Sequence, residues 1–176
     1  MPERYGSVVI LNGLAGTGSS TVAKLLQKEL GFEYVYGGGI FRKMAEEEGK
    51  TFEQALADLK GDPEKEKRVD DRLIKRAKRG KVIIESRVLA WLLPETPSFK
   101  VWLVCDRKER ERRIFEREGT DDVFERMIFR EKVDAERYRS LYGIEMDDFS
   151  AYDEVIDTTN MPPIKVMQQI LKKFQV

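Results

Sequence analysis

A short apolar run that breaks into a glycine loop constrains this chain more than anything else in it. Ser7-Val8-Val9-Ile10-Leu11-Asn12 carries no charge and leads directly into Gly13-Leu14-Ala15-Gly16-Thr17-Gly18-Ser19-Ser20-Thr21. An uninterrupted apolar stretch of this length suits a strand buried on both faces. Beyond the loop Val22, Leu25, Leu26 and Leu30 share one helical face, and Gly31 supplies a stop. Strand, glycine loop and helix in that order build an anion site. The glycines let successive N–H groups converge, and the helix start adds free donors and the positive end of its dipole. The spacing from Gly13 to Gly18, followed by two hydroxyls, is that of the phosphate loop G-x-x-x-x-G-K-[ST]. Ser19 stands where that motif has lysine, and Lys24 lies more than a turn too far along the helix to replace it. Amides alone would then bind phosphate. Residue 19 is expected to face phosphate and solvent, so that a lysine there would be tolerated. Ser20 holds the position whose hydroxyl takes Mg²⁺. A plain glycine-rich turn is the competing account.

The rest of the chain repeats the alternation. Phe32 to Tyr36, Lys81 to Glu85, Lys100 to Cys105 and Glu154 to Asp157 read as strands. Between them lie helical segments: Ile40 to Glu48 after a flexible Gly37-Gly38-Gly39 turn, Thr51 to Asp58, Pro63 to Arg79, Arg107 to Glu118 and Asp121 to Tyr142. A last helix is marked by Ile164, Met167, Leu171 and Phe174. Strands alternating with helices predict an α/β domain with a five-stranded parallel sheet covered on both faces. Ligands in such folds bind beyond the carboxyl ends of the strands.

Composition narrows the chemistry. The 176 residues suit a single domain. There is no histidine and one cysteine, Cys105, which removes Ser-His-Asp and Cys-His catalysis, His-ligated metal and any internal disulfide. Thirty-two basic residues balance 32 acidic ones, which argues against a bulk nucleic-acid binder. The apolar runs fall far short of the ~20 residues a bilayer span needs, and Met1 to Ser7 is too short and polar for a signal peptide. A cytoplasmic monomer, with neither membrane nor nucleic acid as partner, is the expectation.

What remains is charge held at strand and helix ends. Arg42 follows strand two, either aimed at the sheet edge or simply solvated. Glu85-Ser86-Arg87 ends strand three, as functional groups or as an ion pair with each other. Arg113 and Arg117 share one helical face, and so do Arg130, Asp134 and Arg137. A salt-laced surface is the alternative for both sets. Arginine is the residue that phosphoryl transfer needs, being permanently charged and bidentate to phosphate.

Taken in order, the glycine loop with Ser19-Ser20-Thr21, Gly39-Ile40-Phe41-Arg42, Pro63-Glu64 with Asp70, and Val82-Ile83-Ile84-Glu85-Ser86-Arg87 resemble cytidylate kinases of the short archaeal type. So do Arg110-Glu-Arg-Arg113 through Arg117-Glu-Gly119, and Arg130-Glu-x-x-Asp134-x-x-Arg137-Tyr138 through Tyr142-Gly143-Ile144. The resemblance covers nearly the whole chain. It implies a P-loop NTPase-like fold with an acceptor-binding helical insertion at 38–80 and an arginine-bearing lid at 113–130. It implies transfer of the γ-phosphoryl group of ATP to CMP or dCMP, with Mg²⁺. By the same resemblance Arg42, Arg130 and Arg137 hold the acceptor phosphate, and Arg87 and Asp134 contact the acceptor nucleotide. Arg113, Arg117 and Arg130 are the catalytic candidates, the first two over the donor phosphates. The sequence departs from the family pattern at Ser19, Gly39 and Leu14-Ala15. Another small-molecule kinase of this fold, or a nucleotide-binding protein without turnover, are the alternatives.

Overall fold

The computed structural model of the chain describes residues 6–59, 62–119 and 122–174. Strands β1 (Val8–Gly13), β2 (Glu33–Tyr36), β3 (Val82–Glu85), β4 (Phe99–Val104) and β5 (Glu154–Asp157) form one sheet in the order β2-β3-β1-β4-β5. Every neighbouring pair is parallel. Each connection must therefore cross a face of the sheet, and helices make the crossings. They are α1 (Ser19–Leu30), α2 (Gly37–Glu47), α3 (Phe52–Leu59), α4 (Pro63–Ala77), α5 (Leu89–Leu92), α6 (Arg107–Glu118), α7 (Asp122–Tyr142) and α8 (Pro163–Phe174).

The period-2 alternation of β1 divides the core. Val9 and Leu11 pack with Val22 and Leu26 of α1 and Val166 and Ile170 of α8. Val8 and Ile10 face the other way, onto Leu73 and Ala77 of α4 and Leu89 of α5. Val9, Ile10 and Leu11 are wholly buried, and each such side chain contributes ~1.5–3 kcal/mol. The central strand is thus fixed from both faces, and its carboxyl end is a rigid base for the loop that follows. From β1 the chain crosses to β2 on one side, and from β3 it crosses past β1 to β4 on the other, which opens a crevice at the carboxyl edge.

Element ends shift by a residue or two from the sequence expectation, and two differences go further. The Gly37–Gly39 stretch is no flexible turn: α2 starts at Gly37 directly after β2. A Cβ on Gly39 would lie 2.9 Å from Cε1 of Tyr36, so the glycines let the first turn close over that ring. The short helix α5, folded from an apolar stretch with no polar face, was not expected as an element.

Between β2 and β3, helices α2 to α4 occupy most of the expected 38–80 insertion and share a small core of Phe41, Ala45 and Ala55. At the other expected feature, α6 ends on Gly119 in the left-handed region (φ 75°) and α7 begins at Asp122. Residues 120 and 121, within the expected 113–130 lid, lie outside the described residues.

Candidate active site

The loop from Gly13 to Gly18 takes its shape from two glycines with positive φ, Gly16 at 84° and Gly18 at 91°. Thr17 closes the turn: its N–H and its Oγ1 both donate to the Leu14 carbonyl, at 3.2 and 2.8 Å. Gly18 caps α1 without a side-chain bond. The first-turn amides of α1 have no partner inside the helix, as at any helix start.

Ser19 and Ser20 open α1, and both turn to the end of β3. Ser19 Oγ donates to Glu85 Oε1 at 2.6 Å, and Ser20 Oγ lies 3.0 Å from each Glu85 oxygen. The Tyr34 hydroxyl of β2 donates to the same carboxylate. Burial, reinforced by Glu85, holds the Tyr34 phenol above its ordinary range, so it stays a neutral donor. The Ser19 side chain therefore does not face solvent as expected. The residue is 8 % exposed, and a lysine here would have to displace the Ser19–Glu85 contact. The two Glu85 oxygens beside the Ser20 hydroxyl make a hard-oxygen set that fits Mg²⁺. Among the described residues no group of three or more His, Cys, Asp or Glu could hold a metal. An ion at Ser20 would take few protein ligands and complete its shell with phosphate oxygens and water, as Mg²⁺ does.

Arg87, two residues after Glu85, does not pair with it. Its Nη1 meets Asp134 Oδ2 of α7 instead, and Arg137 Nη2 lies 3.5 Å from Asp134 Oδ1. Arg137 also donates to the Tyr138 hydroxyl at 2.8 Å and lies 4.7 Å from that ring's centroid, while its buried Nε has no hydrogen-bond partner. Asp70 of α4 approaches the same cluster, where it accepts from the Tyr142 hydroxyl at 2.7 Å. Burial raises the Asp70 carboxyl above the usual range, against the pull of Tyr142 and of the Arg137 charge. Arg42, in α2, donates to the Tyr36 hydroxyl at 3.1 Å, and Tyr36 stacks on Tyr34. The α7 backbone carries Arg130, whose side chain lies outside the described residues.

The α6 arginines do not act alike. Arg113 donates to the carbonyls of Thr158 (2.7 Å), Thr159 (3.2 Å) and Gly16 (3.3 Å), so it meets the loop from its outer, carbonyl side. Arg117 pairs with Glu118 and is largely solvated. The structure thus separates two residues that the sequence placed on one functional face. Arg110, read only as part of a motif, is buried against the loop with Glu131. Arg110 and Glu131 appeared only as letters of longer motifs, and Tyr34 and Thr158 were not singled out as site residues, because each acts on residues distant in the chain.

A profile of the AAA domain family matches residues 9–139. The chain is 38 % identical over 158 residues to a cytidylate kinase of Thermococcus kodakarensis, covering 89 % of this chain and 81 % of that protein. It is 36 % identical over 173 residues to a cytidylate kinase of Methanococcus vannielii, covering 96 % and 99 %. The shikimate kinase of Acinetobacter baumannii, solved with shikimate, superposes with a TM-score of 0.62 over 97 % of this chain and 93 % of that one, at 16 % identity, a likeness of fold. No helix among the described residues is long and apolar enough to cross a membrane. With a phosphate loop on the central strand of a parallel sheet, and with these identities over almost its whole length, the chain belongs to the cytidylate kinase family.

Proposed function

We propose that this protein transfers the γ-phosphoryl group of ATP to CMP or dCMP, giving ADP and the nucleoside diphosphate. The observation that carries the proposal is the end of β3. Glu85 reaches the loop hydroxyls of Ser19 and Ser20, and Arg87 reaches Asp134 on α7. A donor-phosphate loop and an arginine-carboxylate cluster thus meet at one strand end, as an in-line transfer between two bound nucleotides requires.

In this scheme the loop amides bind the β- and γ-phosphates of ATP. Ser20 and Glu85 would hold Mg²⁺, which neutralises charge on the donor phosphates when bound. Arg42, Arg130 and Arg137 take the acceptor phosphate. They hold one of its oxygens against the γ-phosphorus while the bond to the ADP oxygen breaks and the electron pair leaves with ADP. The acceptor is already anionic, so no strong base is needed and the absence of histidine is no handicap. Asp134, kept in place by Arg87, accepts from the exocyclic amine of cytosine; the carbonyl that uracil has there would face it with repulsion. Helices α2 to α4 form the acceptor-binding insertion, and the lid at 113–130 brings Arg117 over the donor phosphates when it closes.

A coupled ADP-release assay across CMP, dCMP, UMP and AMP tests this, with turnover expected for the cytosine nucleotides. ATP binding without turnover on any acceptor would favour the second reading, a nucleotide-binding protein without catalysis, for which the missing loop lysine at Ser19 is the argument.

A further inference from the structure

Four consecutive carbonyl oxygens of the phosphate loop are held, the first by the loop's own Thr17 and the other three from outside it. Leu14 O accepts from Thr17 Oγ1 at 2.8 Å and Ala15 O from Arg110 Nε at 2.7 Å. Gly16 O accepts from Arg113 Nη1 at 3.3 Å, and Thr17 O from Thr158 Oγ1 at 2.8 Å. In a trans peptide the carbonyl and the following N–H point to opposite sides. Anchoring the Ala15 and Thr17 oxygens outward therefore turns the N–H groups of Gly16 and Gly18 the other way, where an anion would sit.

Arg110 is the more enclosed of the two arginine anchors, its side chain 8 % exposed against 25 % for Arg113, and its partner Glu131 on α7 is 11 % exposed. Glu131 Oε1 accepts from Arg110 Nη2 at 2.5 Å and from the Ala15 N–H at 3.2 Å. Ala15 is thus gripped at both its N–H and its carbonyl, and the two grips are joined by an ion pair. The backbone of α6 presses on the next residue as well. A Cβ on Gly16 would lie 2.9 Å from the Arg110 carbonyl oxygen and 3.0 Å from its Cα. For packing alone, a buried ion pair is often no better than apolar side chains of the same volume. Directional bonds to a loop peptide are something apolar side chains could not supply.

We propose that Arg110 and Glu131 are positioning residues for the donor-phosphate loop. They fix the Ala15 backbone so that the loop amides converge without the lysine that position 19 lacks. The proposal rests on the kinase reading above for the identity of the anion, a nucleoside triphosphate.

The test is calorimetric titration of the full chain with ATP and Mg²⁺, and separately with CMP, well below each variant's melting temperature. Arg110→Met should weaken ATP binding at least ~10-fold, equivalent to ~1.4 kcal/mol, and leave CMP affinity within about threefold. Glu131→Ala should do the same, and Glu131→Gln, which keeps an oxygen for both donors, should recover most of the loss. Arg110→Lys keeps the charge but replaces the rigid guanidinium fork, whose separate nitrogens meet the two acceptors, with a single nitrogen, so it should fall between wild type and Arg110→Met; it also serves if Arg110→Met does not fold. ATP affinity within about threefold of wild type in Arg110→Met, or in Arg110→Lys where it stands in, would overturn the proposal. So would an equal fall in ATP and CMP affinity, or Glu131→Gln as weak as Glu131→Ala. A wild type that binds ATP but not CMP would end the acceptor assignment and leave the ATP comparison to decide this one.

Discussion

Asp134→Asn is the most informative substitution, because it changes charge and hydrogen-bond polarity and almost nothing else. In the folded protein the carboxylate has one oxygen on Arg87 and the other 3.5 Å from Arg137, with only 15 % of the side chain exposed. An asparagine can keep its oxygen on Arg87, but its NH₂ then faces the Arg137 guanidinium, donor against donor. A hydrogen bond to a charged group is worth ~1.5–3 kcal/mol and a neutral one ~0.5–1.5. Weakening one contact from the first class to the second should cost ~1–2 kcal/mol of stability, or ~2–8 °C in Tm for a chain of this size. Selectivity should change far more. A site built around a hydrogen bond can reject an analogue lacking it by ~10⁴-fold. The amide, turned either way, can accept from the cytosine amine or donate to the uracil carbonyl, so the ratio of kcat/KM for CMP to that for UMP should collapse to within ~10-fold. Steady-state ADP release with both nucleotides, beside thermal melts, measures both quantities. An unchanged CMP/UMP ratio at lower total activity would refute base reading by Asp134 and leave it as the ion-pair partner of the two arginines.

Arg137→Ala should lower kcat/KM for CMP at least ~30-fold, since losing one partner of a buried charged contact costs ~2–5 kcal/mol and each ~1.4 kcal/mol is tenfold; ATP affinity should hold, and a loss under about threefold would remove Arg137 from the phosphate clamp. Ser20→Ala should depress Mg²⁺-dependent turnover more than binding of metal-free ATP, as compared by kinetics and calorimetry; equal losses would make Ser20 a helix-start residue only. Asp70→Asn should raise Tm at pH 7. The folded Asp70 carboxyl titrates above its unfolded value, so folding takes up a proton between the two and wild-type stability falls as pH rises through that window. Melts at acidic pH, below about 3.5, should show the gain vanish; a gain constant across pH would refute burial of the charge as its cause.

Local properties of the chain determined the architecture. Apolar runs, helical periodicity and the glycines between them are each written within a dozen residues, and a parallel sheet with a phosphate loop on its first strand follows from their order. The loop conformation was legible for the same reason, since only glycine takes the backbone angles of Gly16 and Gly18 without strain. Charge partners were not legible. Glu85 and Arg87 sit two residues apart, yet one turns to α1 and the other to α7, because a strand end fans its side chains towards different neighbours. Along α6 the arginines are chemically identical in sequence. Which of them grips the loop is set by the rotation and depth of the helix. Arg110 and Arg113 meet loop carbonyls, whereas Arg117, about 6 Å further along the axis, has left the loop behind and pairs with Glu118. Ser19 turned inward for a tertiary reason too: the carboxylate that draws it arrives from a strand 66 residues away. Periodicity is a local property that one sequence can display, while the choice among equivalent partners is made only when distant segments are packed side by side.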